Sequence, residues 1–220
     1  MNNRDYKEFA PGSYYHVYNR GNGKQDIFLD KEDYNFFLFR LKEALYPDSI
    51  EEIMQKKDKE KKLSGDRRTA LPKGSFDLVC YCLMPNHYHF LIKQNNDISI
   101  AKLIAKVCTG YSKYLNKKYS HAGHVFQDRF RAVIVDSNEY IVWLSGYIHD
   151  NPKTAGLVQN LIDYPWSSYF DYIGLTQGDL CKKDIILDQF ENANNYKRYV
   201  HEVGKLVSER KIDSQKLKID

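Results

Sequence analysis

Two histidines, His87 and His89, lie one residue apart in the apolar stretch MPNHYHFLI at residues 84–92. Successive side chains of a β-strand point to opposite faces, so a strand here places both imidazoles on one face, about 6.6 Å apart at ~3.3 Å per residue. Two imidazoles that face the same way can bind one divalent ion. The spacing also fits two surface or hydrogen-bonded histidines without a special role, because short motifs recur by chance.

The elements that must position this pair are indicated by hydrophobic periodicity. Strands are predicted at residues 13–20, 76–84 and 87–93 and within 123–135. Helices are predicted after Asp30, at about 100–115, from Asp136 or Ser137 to a stop at Pro152, and at about 196–207. Residues 87–93 continue the strand before them or pair with it as a hairpin. This order predicts an α+β domain with an antiparallel sheet and helices on one face.

Composition narrows the class of protein. With 28% charged and 42% hydrophobic residues, the chain is typical of a soluble globular protein. No apolar run approaches the ~18 residues of a membrane span, and the polar N-terminus lacks a signal-peptide core, so we expect a cytoplasmic protein without a membrane partner. The four cysteines form no C-x-x-C pair, which disfavours a zinc knuckle. A net charge of +4 permits a nucleic-acid partner without requiring one.

One segment departs from this pattern. Between about residues 47 and 74 the apolar periodicity is lost, and 9 of the 12 residues from Glu51 to Lys62 are charged. We interpret this as an exposed insertion, either a solvated excursion or an arm that contacts DNA.

Five segments in order resemble one protein family. They are YYHVYNRG, YCLMPNHYHFLI, GHVFQDRFRAVIV, YIHDNPKTAGLV and DYPWSSY, spanning roughly residues 12–173. The histidine pair resembles that of the HUH endonucleases, which cut single-stranded DNA through a tyrosine nucleophile. Taken together, the segments resemble the REP-associated tyrosine transposases, relatives of the single-tyrosine transposases of small insertion sequences. The resemblance implies a ferredoxin-like α+β domain over residues 1–175 and a C-terminal helical extension over 176–220.

The resemblance also selects a nucleophile and a third metal ligand. The family's catalytic tyrosine begins a Tyr-Ile-x-x-Asn-Pro segment, which implies Tyr147 as the nucleophile and Asn151 as a ligand beside the histidine pair. On a helix these two residues share a face. Without the resemblance, Tyr147 would more readily be packing and Asn151 a helix end. Tyr111 and Tyr114 are the competing nucleophiles, and the implied cofactor is Mg²⁺ or Mn²⁺.

The implied activity is cleavage and rejoining of single-stranded DNA next to hairpins through a 5′-phosphotyrosine intermediate. The implied partner is therefore single-stranded or hairpin DNA, and both a monomer and a homodimer stay open. An alternative is a non-catalytic or domesticated protein that binds structured nucleic acid. A third is a metal-bound hydrolase that uses water and needs no tyrosine.

Several basic residues are candidates for contact with DNA phosphates. Arg129 and Arg131 are predicted to alternate on one strand face, Arg20 ends the first strand, and a stripe on the second helix comprises Lys102, Lys106, Lys113 and Lys117. Of the other histidines, His16 is interpreted as strand packing or a DNA contact. His149 is expected to face away from Tyr147 and receives no role.

Overall fold

The computed structural model of the chain describes residues 8–48 and 70–216, with side chains to residue 210. Four strands form one antiparallel sheet in the order β2-β3-β1-β4. They are β1 (Tyr14–Arg20), β2 (Phe76–Met84), β3 (His87–Gln94) and β4 (Arg131–Val135). The helices are α1 (Lys31–Leu45), α2 (Ile100–Lys118), α3 (Asn138–Thr154), α4 (Tyr169–Tyr172), α5 (Asp184–Leu187) and α6 (Ala193–Lys216). This is a ferredoxin-like arrangement with added C-terminal helices, so the predicted fold class is confirmed.

Strands β2 and β3 form a hairpin, which is one of the two alternatives that the sequence left open. Met84 pairs with His87, so the turn consists of Pro85 and Asn86 alone. The main-chain oxygen of Asn86 accepts a hydrogen bond from the amide of Gly21 at 2.8 Å, which joins the turn to the end of β1. A short turn held in this way fixes the register of the strand that carries the histidine pair.

Helices α1 and α2 cover one face of the sheet. Asp30 caps α1 through a reciprocal capping box with Asp33, as expected for an acidic residue ahead of an amphipathic helix. Apolar residues of the two helices pack with side chains from alternate positions of the strands, including Val17 and Phe90. Other large members of this core include Phe37, Leu41, Tyr88, Leu103, Val107 and Tyr111.

Helices α3 and α6 cover the other face, so the expectation of helices on one face only is wrong. Ile148 of α3 and Val200 of α6 lie in a second core with Cys82 and Leu91 of the sheet. The reason lies in the strands: β2 and β3 are buried on both faces, so apolar side chains such as these also need a covering layer on the second side.

The predicted stop of α3 at Pro152 is also wrong, because the helix continues to Thr154. Proline lacks an amide hydrogen and removes the hydrogen bond to the carbonyl four residues earlier, but the residues after it can still donate to the preceding turn. The last turn is closed by the amide of Ala155, which donates to the main-chain oxygen of Asn151 at 2.9 Å. Pro152 thus lies within the final turn of the helix.

Strand β4 is shorter than predicted and begins at Arg131, so Arg129 is not on a strand. The preceding segment is held as a loop beside the end of β1. Its contacts are an isolated bridge between Gly21 and Phe126, and a hydrogen bond from the amide of Gln127 to the oxygen of Arg20 at 2.9 Å. Residues 49–69 of the predicted charged insertion lie outside the described residues.

Candidate active site

Strand register decides which side chains share a face with the histidine pair, His87 and His89. In β1, Arg20 lies opposite His87 and Tyr18 lies opposite His89. Directly paired residues of antiparallel strands point to the same face, so these two side chains flank the pair. Tyr88, between the two histidines, is fully buried in the opposite core. The histidine pair therefore faces α3, and it does so because of the two-residue period of the strand.

The two imidazoles are close together, and each is held by a hydrogen bond. Their ring centroids are 5.0 Å apart with the planes nearly perpendicular. Nδ1 of His87 lies 2.6 Å from Oδ1 of Asn86. Nδ1 of His89 lies 2.9 Å from Nε2 of His16, whose ring stacks on it. Both contacts involve Nδ1, so Nε2 is the nitrogen left in each ring of the pair.

Burial keeps these imidazoles neutral. Desolvation lowers the pKa of His16 and of His87 to about 4, and the charge of Arg20 adds to the effect on His87. Burial also lowers the pKa of His89 well below its usual value. Since a metal ligand must offer an unprotonated nitrogen, the pair is in the protonation state that metal binding needs at neutral pH.

Tyr147 of α3 lies over this cluster. Its ring centroid is 6.0 Å from that of His89 and 6.3 Å from that of His16, each in an edge-to-face arrangement. Trp143, one turn earlier in α3, stacks on its other side at 5.5 Å. Burial raises the pKa of Tyr147, with hydrogen bonding from Asn151 acting in the opposite direction, so the phenol is protonated at neutral pH.

The two competing tyrosines lie in the other layer of the molecule. Tyr111 is 0% exposed and its hydroxyl donates to the main-chain oxygen of Ile27. The hydroxyl of Tyr114 donates to Asp33 at 3.1 Å. Both are on α2, on the face of the sheet opposite the histidine pair, so the structure does not bring them to this site.

Asn151 lies one helical turn beyond Tyr147 and is half-buried. Its Nδ2 donates to the main-chain oxygen of Tyr147 at 2.9 Å, which leaves Oδ1 as an acceptor. Among the described residues, no three histidine, cysteine, aspartate or glutamate side chains gather as a metal site. Two neutral imidazoles and one amide oxygen are nevertheless suitable donors for Mg²⁺ or Mn²⁺ when water and phosphate complete the coordination. The residues present therefore fit the implied ion.

His149, which faces away from Tyr147, is 0% exposed and links α3 to α6 and, through Ser168, to β2. Its Nδ1 lies 2.7 Å from the hydroxyl of Tyr196 in α6, and its Nε2 lies 2.8 Å from Oγ of Ser168. Ser168 in turn accepts from the amide of Tyr81 in β2 at 2.9 Å. This positioning role of His149 was not predicted from the sequence. The available signal was the recurrence of polar residues on this face of α3, where Ser145 is buried as well.

The predicted DNA contacts divide between the two sides of the molecule. Arg20 and Arg131 are exposed. Arg20 pairs with His87 and Arg131 pairs with Tyr18, so both arginines are on the face of the sheet that carries the histidine pair. Arg129 is exposed in the loop before β4. The four predicted lysines, Lys102, Lys106, Lys113 and Lys117, are on α2 and therefore belong to the layer on the far side of the sheet.

Comparison with known proteins relates the chain to one group of transposases. Residues 45–151 match the family model of IS200-like transposases, and this stretch contains the histidine pair, Tyr147 and Asn151. A curated protein of Haemophilus influenzae assigned as a REP-associated tyrosine transposase is 30% identical over 105 residues, and the match covers 43% of this chain and 59% of that protein. The resemblance to the REP-associated tyrosine transposases is confirmed.

The fold of the chain is also that of a REP-associated tyrosine transposase. A solved structure of such a transposase bound to a REP hairpin matches with a TM-score of 0.54 at 12% identity, covering 83% of this chain and 98% of that one. In sequence, the chain spans about 59% of the length of the curated transposase. No helix within residues 8–48 and 70–216 is long and apolar enough to cross a membrane.

Proposed function

We propose that the protein is a metal-dependent, single-tyrosine DNA nuclease and strand transferase. Its substrate would be single-stranded DNA next to a hairpin, and the transposase of similar fold was solved bound to a REP hairpin. The observation that carries the proposal is the approach of Tyr147 to His89, with ring centroids 6.0 Å apart. A nucleophile beside two neutral imidazoles is an arrangement that phosphoryl transfer can use.

Each residue of the site has a distinct task in this proposal. The phenol oxygen of Tyr147 attacks the scissile phosphorus, forms a 5′-phosphotyrosine bond and releases the 3′-hydroxyl of the cleaved strand. His87, His89 and the amide oxygen of Asn151 would hold Mg²⁺ or Mn²⁺, which would supply positive charge to stabilise the reacting phosphate. The phosphorus exchanges its ester bond to the 3′-oxygen for an ester bond to the tyrosine oxygen. A DNA 3′-hydroxyl can therefore attack the phosphotyrosine and reverse the step without ATP.

Arg20 and Arg131 would orient the DNA backbone. Both are exposed on the face that carries the histidine pair, and a guanidinium binds phosphate oxygens through two parallel hydrogen bonds. The charge of Arg20 already acts on the site, since it adds to the lowering of the pKa of His87.

The test is a search for a covalent adduct. Purified protein is mixed with Mn²⁺ or Mg²⁺ and hairpin-containing single strands from the flanks of its own gene, labelled 3′ of the expected cut. We expect a denaturation-resistant protein–DNA adduct that is lost on chelation and in Tyr147→Phe. Tyr140→Phe, two turns earlier in the same helix, is the matched control and should form the adduct normally.

The alternatives give different products. Cleavage without an adduct would favour a hydrolase that uses water, and an adduct that survives in Tyr147→Phe would overturn the choice of nucleophile. Hairpin binding with neither cleavage nor adduct would favour a non-catalytic nucleic-acid-binding protein.

A further inference from the structure

Each imidazole of the histidine pair has a partner at Nδ1 that comes from a different element. For His87 the partner is the side-chain oxygen of Asn86 in the hairpin turn, and for His89 it is Nε2 of His16 in β1. Within the described part of the chain, neither Nε2 of the pair has a hydrogen-bond partner. The two rings therefore keep the same nitrogen, Nε2, available for a ligand.

We propose that Asn86 and His16 are positioning residues for the histidine pair. Each accepts a hydrogen bond from an Nδ1–H group of the pair, and each thereby holds one imidazole in the tautomer whose Nε2 lone pair is free for a divalent cation. The inference rests on the proposed function in one respect only, namely that the pair binds a metal.

The contact with Asn86 defines the tautomer of His87. Nδ2 of Asn86 donates to the main-chain oxygen of Lys24 at 3.1 Å, so the oxygen of this amide is the atom that faces His87. An amide oxygen can only accept, and the proton of His87 must therefore lie on Nδ1. The main chain of Asn86 is fixed as well, since its oxygen accepts from the amide of Gly21 at 2.8 Å.

In the contact between His16 and His89, one proton lies between two neutral rings, and either ring can be its donor. If Nε2 of His16 donates, then His89 carries its own proton on Nε2 and cannot bind a cation there. If Nδ1 of His89 donates, its Nε2 is free. Ligand histidines in metal sites donate their other N–H group to a fixed acceptor, which orients the ring and raises its basicity. His16, with 9% of its surface exposed and its ring stacked on that of His89, is well placed to be this acceptor.

The tautomers can be observed directly in the full-length protein. Long-range ¹H–¹⁵N correlation spectra of the imidazoles at pH 7 distinguish protonated from unprotonated ring nitrogens. We expect the Nδ1–H tautomer for both members of the pair without metal, whereas free histidine in water favours Nε2–H. An Nε2–H tautomer at either residue in the metal-free protein would overturn the inference for that residue.

Two pairs of variants test the consequence for metal binding, measured as Mn²⁺ affinity by electron paramagnetic resonance without DNA. His16→Phe keeps a ring but no acceptor and should weaken binding by about 10- to 100-fold, the usual effect of losing such a partner. His16→Gln restores an acceptor and should recover most of the affinity. At the turn, Asn86→Ala should weaken binding, whereas Asn86→Asp keeps an oxygen acceptor and should not.

Further variants separate this inference from the proposed function. If His89→Ala abolishes Mn²⁺ binding but His16→Phe and Asn86→Ala bind as tightly as the wild type, the positioning inference is wrong and the metal site stands. If wild-type protein and His89→Ala bind Mn²⁺ equally, the metal site itself is wrong. Should His16→Phe fail to fold by circular dichroism, the spectra of the wild type and the Asn86 pair still decide the outcome.

Discussion

The side-chain amide of Asn151 donates a hydrogen bond to the main-chain oxygen of Tyr147, one turn earlier in α3, at 2.9 Å. The bond orients Nδ2 along the helix and leaves Oδ1 for a ligand. Asn151→Ala should lower Mn²⁺ affinity by at least tenfold and the free energy of unfolding by about 1 kcal/mol, the usual worth of one hydrogen bond. Asn151→Asp keeps an oxygen donor and should retain Mn²⁺ binding. Equal Mn²⁺ affinity in Asn151→Ala and the wild type would remove this residue from the ligand set.

DNA binding should depend on the side of the sheet from which a basic residue projects. Arg131 is on the site face, and Lys113 is exposed on α2 behind the sheet. Arg131→Ala should weaken binding of a hairpin-containing single strand and reduce the slope of log Kd against log salt by about 0.7, the value for one lost single-strand phosphate contact. Lys113→Ala is the matched control and should leave both unchanged. Fluorescence anisotropy over a range of salt concentrations measures both quantities, and a larger effect of Lys113→Ala would place the DNA on the α2 side.

The two glycines of the turn after β1 should differ in their tolerance of a side chain, with Gly21 intolerant and Gly23 tolerant. A Cβ atom on Gly21 would lie 2.1 Å from the main-chain oxygen of Gln25, so the turn that supports Asn86 would have to move. Gly21→Ala should lower the free energy of unfolding by about 1–3 kcal/mol, as overpacking commonly does. Gly23 has a φ of +59° with open space around it, and Gly23→Asn should cost little because asparagine adopts this conformation readily. Urea unfolding compares the two variants, and equal stabilities would contradict the expected clash.

Acid should destabilise the fold through His149. Burial lowers its pKa to about 3 in the folded protein, against 6.5 when exposed. The folded pKa is the lower one, so the unfolded chain takes up the proton first; stability is full above about pH 6.5 and falls as the pH drops toward 3. At about 1.4 kcal/mol per pH unit, this residue alone should cost about 2 kcal/mol between pH 6.5 and pH 5.

The check on this pH dependence is urea unfolding of the wild type and of His149→Gln at both pH values. Glutamine does not titrate, so the variant should lose less stability between pH 6.5 and pH 5, whatever its starting value. An identical loss in both proteins would assign the acid sensitivity to other groups.

What could be predicted from the sequence follows from local periodicity. The alternation of polar and apolar residues in β3 was enough to put His87 and His89 on one face, because a strand has a period of two. Likewise, a spacing of four put Tyr147 and Asn151 on one face of a helix. The order of the elements then led to the correct fold class.

What could not be predicted depends on contacts between distant segments. His16 and His89 are 73 residues apart, and their contact arises from the register of β1 against β3. His149 could be assigned to the side of α3 away from Tyr147, but its partner Tyr196 comes 47 residues later in a helix whose packing partner was not known. The expected strand at Arg129 failed for a similar reason, since hydrogen bonding to the end of β1 holds that segment as a loop.

The anchoring of α3 limits how far its tyrosine can travel. Through His149 the helix is tied to α6 and to β2, and its opposite side rests on the sheet. A cleaved DNA end bonded to Tyr147 would therefore stay within the length of one side chain from α3. If the proposed function is correct, a strand to be joined to that end would have to come to this position, and the order of cutting and joining would depend on how the DNA folds and not on a movement of α3.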